Sequence, residues 1–179
     1  MEQLSILNNN LEMQNQIFVA VDVETTGFSP IKNELIEVSA IKYNGNKKLD
    51  TFTTLIKPKE EVPYVITKVT GITNQMLRKA PKVEEVMPKL ISFIGSNPIV
   101  AHNAKFDYSF LQANSNKSFS NNELIDTLEI SREMFKNLPN YKLNTISKII
   151  GIEEDSFHRA EFDSECCAKI YMKYLEEYK

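Results

Sequence analysis

Four carboxylates in this sequence stand where carboxylates are rarely found. Asp22 and Glu24 lie two residues apart at the end of the apolar run Ile17 to Val23. In a strand, residues i and i+2 share one face. At ~3.3 Å of rise per residue the two are about 6.6 Å apart. Two full charges at that distance repel by about 2.5 kcal/mol at an effective dielectric of ~20. Either one carboxyl is protonated or a cation sits between them. Asp107 has Ala104, Phe110 and Leu111 as neighbours at helical spacing, and Asp163 has Ala160, Cys167 and Ile170. Both acids therefore fall on apolar stripes that pack inward. Buried acids need partners, and the only bases near these stripes are Arg159 and Lys169 at the margins. Hard divalent cations, Mg²⁺ or Mn²⁺, suit an all-oxygen site of this kind. Such sites serve phosphoryl chemistry, in which two metals hold the attacking and leaving oxygens.

The sequence has two histidines, His102 and His158. His158 precedes Asp163 by five residues, in a loop just ahead of the last helical stripe. An imidazole of reference pKa about 6.5 suits a general base that activates water. The ordinary explanation, a surface histidine without a task, stands beside that one. His102 ends a short apolar segment before Asn103. A packing role is expected for it, and it is the alternative base.

The elements that must carry these groups follow from periodicity and punctuation. Ile17 to Val23 is apolar and β-branched, a buried strand interrupted by Asp22. Thr25-Thr26-Gly27 supplies the turn out of it. A second strand runs from Glu34 to Tyr43, Asn44-Gly45 is a hairpin signal, and Leu49 to Ile56 returns. The chain thus opens as an antiparallel meander. Pro58 to Pro81 is a long connection with one helical turn near Thr73 to Arg78, capped by Thr73. Val83, Val86, Met87, Leu90, Ile91 and Ile94 recur at helical spacing. Pro88 within that run must sit in the first turn or kink the helix. Short strands at Pro98 to Ala101 and around Leu124-Ile125 then alternate with helices. These helices run from Ala104 to Ala113, Thr127 to Lys136, through Leu143, Ile146, Ile149 and Ile150 to a stop at Gly151, and from Ala160 to Glu177. This order predicts an α/β fold, a mixed sheet of antiparallel then parallel strands flanked by helices.

Composition narrows the class. At 179 residues the length favours one domain. The polar stretch 1–16 reads as a lead-in, and residues 17–179 as a single domain. A hydrophobic share of 42% and a charged share of 25% exclude a disordered or fibrous chain. The net charge of −3 argues against coating duplex DNA, though not against gripping a chain end. Cys166 and Cys167 are adjacent, and no pair stands at zinc spacing. The opening residues lack the basic flank and long apolar core of a signal peptide, and no apolar run approaches the ~20 residues of a membrane span. A cytoplasmic protein without a membrane partner is the expectation.

Three ordered segments carry a resemblance. Val21-Asp22-Val23-Glu24-Thr25-Thr26-Gly27 resembles the first motif of the DEDDh 3′→5′ exonucleases. Ala101-His102-Asn103-Ala104-Lys105-Phe106-Asp107 with Phe110-Leu111 resembles the second, and His158-Arg159-Ala160 with Asp163 the third. Thr70-Gly71-Ile72-Thr73 and Ile125-Asp126-Thr127 also sit where that family has similar segments. The likeness runs from about Phe18 to Tyr174. Within the family it looks most like the proofreading epsilon subunit of bacterial DNA polymerase III and its stand-alone homologues. The resemblance implies a ribonuclease H-like fold with a mixed five-stranded sheet. It also implies two Mg²⁺ or Mn²⁺ ions and release of nucleoside 5′-monophosphates from DNA 3′ ends, in proofreading or repair. By resemblance, Asp22, Glu24 and Asp163 hold one metal, and Asp22 and Asp107 reach the other. His158 deprotonates the water, so His158 and the four acids form the catalytic set. Thr25, Thr26 and Gly27 meet the terminal nucleotide, as do Asn103 and Phe106, with Phe106 near its base or sugar. The expected partner is a single-stranded or frayed 3′ end, with a polymerase subunit as a further one. Two departures stand out. Glu161 follows Ala160 where the family often has an aliphatic residue, and the chain ends at Lys179 without the tail by which the epsilon subunit binds its polymerase. A trimmed domain and a stand-alone enzyme therefore both stay open. So do two other functions, an RNA-trimming exoribonuclease of the same family and a non-catalytic subunit of a replication complex.

Overall fold

A computed structural model of the chain describes residues 16–116, 118–152 and 158–178. The expected lead-in lies outside the described residues except for Gln16. That residue belongs to the fold, because its carbonyl accepts from the Gly45 amide at 3.0 Å.

The meander forms as its patterning requires. Strands β1 (Ile17–Thr25), β2 (Leu35–Asn44) and β3 (Lys47–Leu55) pair antiparallel. The two-residue link between β2 and β3 begins with Gly45 at φ 54°, a conformation that favours glycine. Strands β4 (Ile99–Ala101) and β5 (Leu124–Asp126) add in parallel, giving the sheet order β3-β2-β1-β4-β5. This is the mixed five-stranded sheet expected from the sequence.

Alternation along β1 divides the core into two layers. Val19, Val21 and Val23 face helices α3 (Val83–Ile94) and α4 (Lys105–Asn114), packing with Leu90, Ile94, Phe110 and Leu111. Phe18 and Ala20 face helices α5 (Thr127–Met134), α6 (Leu143–Ile149) and α7 (Ala160–Tyr178). Their partners there include Ile130, Ile146, Cys167, Ile170 and Tyr171. Asp22 and Glu24 continue this second face beyond the end of its apolar packing.

The connection from β3 differs from expectation. Besides the Thr73-capped turn α2 (Asn74–Leu77), it holds a helix, α1 (Tyr64–Thr70). Five of the seven α1 residues are β-branched, and Tyr64, Val65 and Val69 are exposed. It carries no inward stripe that periodicity detects; only Pro63 before it and the left-handed Gly71 after it mark its ends. Pro88 is the sixth residue of α3, past the first turn. Pro88 and Glu84, whose carbonyl it leaves without a donor, are both exposed to water.

Candidate active site

The cleft opens at the C-terminal end of β1. Ser39 and Glu37 of β2 lie directly across from Asp22 and Glu24. The pairing shifts by a bulge between Glu24 and Thr25, where the strand turns away. Thr25 Oγ1 donates to the Gly27 carbonyl at 2.6 Å, and Thr26 Oγ1 accepts from the Glu34 amide at 2.9 Å. These hydroxyls shape the turn. Gly27 leaves room for a neighbour: a Cβ there would lie 2.7 Å from the Asn33 side chain, which would have to shift. That side chain is itself anchored by the Ser29 amide at 2.9 Å.

Strand β4 pairs with β1 only at Val19 and Ala20. Further along, this edge of β1 has lost its strand partner, and α4 fills the gap. Asp107, only 3% exposed, accepts the Val23 amide on Oδ1 at 3.1 Å. The start of α4 is set by Asn103, whose φ of 56° is one that asparagine tolerates. Its amide donates to Asp126 Oδ1 at 2.9 Å, and the same oxygen caps α5 through Leu128. Phe106 of α4 stacks in a tilted arrangement on Phe110, centroids 5.2 Å apart. Its other neighbour is Phe28, edge-on at 6.4 Å and 89% exposed.

The third limb is the entry to α7. His158 adopts φ 73°, turning its amide to Asp163 Oδ2 at 3.1 Å. Glu24, His158 and Asp163 each offer a ligand atom, all within 4.8 Å of one another. Among the described residues, Oδ1 of Asp163 is buried with no hydrogen-bond partner. A buried carboxylate oxygen without a donor is what a cation would satisfy.

Crowding shows in the titration of the cluster. Burial first, then the charges of Asp107, Asp163, Glu24 and Glu37, push Asp22 well above the usual carboxylate range. Burial, joined by Asp163 and Glu37, raises Glu24 to about 8. Burial raises Asp107 to about 8 against the opposing Val23 bond, and Asp163 to about 6 against the His158 bond. Without a cation, the cluster therefore holds protons at neutral pH.

His102 is arranged differently. Its Nε2 lies 2.8 Å from the Tyr141 carbonyl, and its Nδ1 lies 3.0 Å from Thr127 Oγ1. A carbonyl only accepts, so Nε2 carries the proton. Burial holds this ring below the ordinary imidazole range. It ties β4 to α5 and to the segment before α6, and both of its nitrogens are engaged.

A family model described as "Exonuclease" matches residues 19–171. The chain belongs to this exonuclease family. It is 41% identical over 162 residues to the DNA polymerase III PolC-type protein of Caldanaerobacter subterraneus subsp. tengcongensis, covering 89% of this chain and 12% of that one. Against the DNA polymerase III subunit epsilon of Aquifex aeolicus it is 38% identical over 164 residues, 89% of this chain and 81% of the relative. The chain thus spans about an eighth of the PolC-type relatives it matches. The fold is shared with an E. coli ExoI–ssDNA complex in its zinc-bound form (TM-score 0.75, 22% identity, 90% of this chain and 40% of that one). It is shared equally with exonuclease X bound to 5′-overhanging duplex DNA (TM-score 0.73, 21% identity, 90% and 92%). Exonucleases of this family are of the two-metal type, and a carboxylate–imidazole cluster suits divalent cations.

Two residues at the cleft escaped the sequence reading. Glu37, 2% exposed, lies across from Glu24 and binds Arg159. The signal was its alternation with Ser39, Ile41 and Tyr43 in β2, which places it on the Asp22–Glu24 face. Phe28 had only its position beside the Gly27 turn to mark it.

Proposed function

We propose that this exonuclease domain removes nucleoside 5′-monophosphates from DNA 3′ ends. The observation carrying this reading is the convergence of Glu24, His158 and Asp163 within 4.8 Å, beside Asp22 and Asp107, in a chain of the exonuclease family. Asp22, Glu24 and Asp163 would hold one cation and Asp22 with Asp107 a second, with Mg²⁺ or Mn²⁺ as the hard ions that carboxylate oxygens prefer. When bound, such a pair stabilises charge on the attacking and leaving oxygens of the phosphodiester. His158 takes the proton of the attacking water. Its exposed side chain can then pass that proton to solvent. His102 is spoken for by Tyr141 and Thr127 and supports the scaffold instead.

The turn at Thr25, Thr26 and Gly27 meets the terminal nucleotide on one side and Asn103 on the other. Phe106 and Phe28 offer an aromatic surface for its base, a contact every base can make. With a net charge of −3, the grip on the polymer is local to the cleft, which favours a single-stranded or frayed end. The polymerase names of the relatives support a place beside a replicative polymerase in the cytoplasm, correcting its 3′ ends. No helix among the described residues is long and apolar enough to cross a membrane.

Digestion of 5′-labelled and 3′-labelled DNA and RNA oligonucleotides tests the reading. The expected result is a ladder shortening from the 3′ end of DNA, release of 5′-mononucleotides, and silence in EDTA. Full activity in excess EDTA overturns the metal assignment. Faster loss of RNA than DNA moves the substrate to RNA.

A further inference from the structure

We infer that Glu37 and Arg159 form a clamp that positions the His158–Asp163 limb over the carboxylates of β1. The inference rests on the exonuclease reading of that cleft.

Arg159 grips Glu37 with two bonds, Nε to Oε2 at 3.2 Å and Nη2 to Oε1 at 2.7 Å. The amide of Ala160, the first residue of α7, donates to the same Oε2 at 3.1 Å. One buried carboxylate of β2 therefore holds both a side chain and the opening amide of the helix. One turn later, Ser164 Oγ lies 3.4 Å from the Ser39 carbonyl of the same strand. From this anchor the limb is closed by two more bonds. The Asp163 amide donates to the Arg159 carbonyl at 3.1 Å, and the His158 amide donates to Asp163 Oδ2 at 3.1 Å. His158 is thereby held at a positive φ that a non-glycine residue seldom adopts.

Stability alone is a poor account of this pair. An apolar residue at position 37 would dock the helix without adding a charge, and buried ion pairs seldom outperform such packing. Glu37 adds a fifth carboxylate, itself buried, to a crowded cluster and sets it directly across from Glu24. What a bidentate fork supplies that apolar packing lacks is fixed direction. Glu37 also stands opposite Glu24 in the strand register. The clamp thus refers the α7 ligands to the strand that carries the other ligands.

Arg159→Ala is the discriminating variant, because position and charge then predict opposite signs. Removing a nearby cation should tighten cation binding if charge alone matters. Loss of position should weaken it. The measurements on the full chain are Mn²⁺ titration calorimetry of the metal-free protein, kcat and KM on a single-stranded DNA oligonucleotide, and a melt in EDTA. We expect Arg159→Ala to weaken Mn²⁺ binding by roughly 10- to 100-fold and to lower kcat similarly at fixed metal, with KM within about twofold. Arg159→Lys keeps the charge without the fork and should fall between. Glu37→Gln with Arg159→Ala should be no worse than the more damaging single change. A lower melt with Mn²⁺ affinity and kcat at wild-type values, or tighter Mn²⁺ binding in Arg159→Ala, overturns the clamp. If Arg159→Ala does not fold, Arg159→Lys decides by the same readouts. A wild-type chain that binds Mn²⁺ but digests no nucleic acid sinks the exonuclease reading, while the titrations still judge the clamp. A wild-type chain that takes up no Mn²⁺ ends the inference.

Discussion

Asp22→Asn should stabilise the metal-free protein while abolishing its activity. Strand geometry places Asp22 about 6.6 Å from Glu24, a repulsion of about 2.5 kcal/mol between full charges at a dielectric of ~20. Asp107, Asp163 and Glu37 add to it. Burial first, and this repulsion second, make the folded chain retain protons, with Glu24 and Asp107 raised to about 8 and Asp163 to about 6. A group raised in the folded state supports the fold at low pH and withdraws that support as pH climbs through its folded value. Each retained proton therefore costs about 1.4 kcal/mol of stability per pH unit above the unfolded value. Asparagine matches the size of aspartate and removes one charge. By that slope the variant should gain up to ~3 kcal/mol at pH 6, some two pH units above an unfolded aspartate, and the gap should widen toward pH 8. For a chain of this length, 1 kcal/mol moves Tm by roughly 2–4 °C. With saturating Mg²⁺ the order should reverse, because wild type gains binding free energy and the variant lacks a shared ligand. The assay is a set of melts from pH 6 to 8, in EDTA and in Mg²⁺. A variant that melts below wild type in EDTA, or a gap that does not widen with pH, refutes the electrostatic argument. Internal hydrogen bonds would then hold the cluster together.

Further outcomes concern the histidines and the aromatic ledge. His158→Ala should lower kcat by roughly 10²–10⁴-fold and leave the melt in place, since the side chain is exposed. His102→Ala strips the Tyr141 carbonyl and the Thr127 hydroxyl of a buried partner and should cost about 1–3 kcal/mol in urea unfolding. A greater loss of turnover at His102 than at His158, in folded proteins, reverses their roles. Phe28→Ala should leave Tm unchanged and raise KM for single-stranded DNA roughly 5- to 150-fold, equivalent to ~1–3 kcal/mol of base stacking. An unchanged KM removes Phe28 from the binding surface.

The parts legible in the sequence are those governed by local period. Asp22 and Glu24 share a face because a strand repeats every two residues, and that face is in place here. Asp107 and Asp163 are buried, as their helical stripes require. The meander, the parallel additions and the Thr73 cap rest on equally short-range signals. Helix α1 escaped because its β-branched residues mimic a strand, and it buries too little to show a period. The sequence favours His158 over His102 as the base from its place in a loop beside Asp163, but each histidine precedes an acid by five residues and His102 stands as the alternative. Tertiary contacts separate them: His102 meets Tyr141 across 39 residues, whereas His158 turns onto Asp163 beside Glu24. Glu37 looks like an ordinary polar position in an alternating strand. Its bonds come from Arg159 and Ala160 at the entry to α7, more than 120 residues away. Period tells which face a side chain takes, but its partner there depends on which distant segment packs against that face. Only the folded chain decides that.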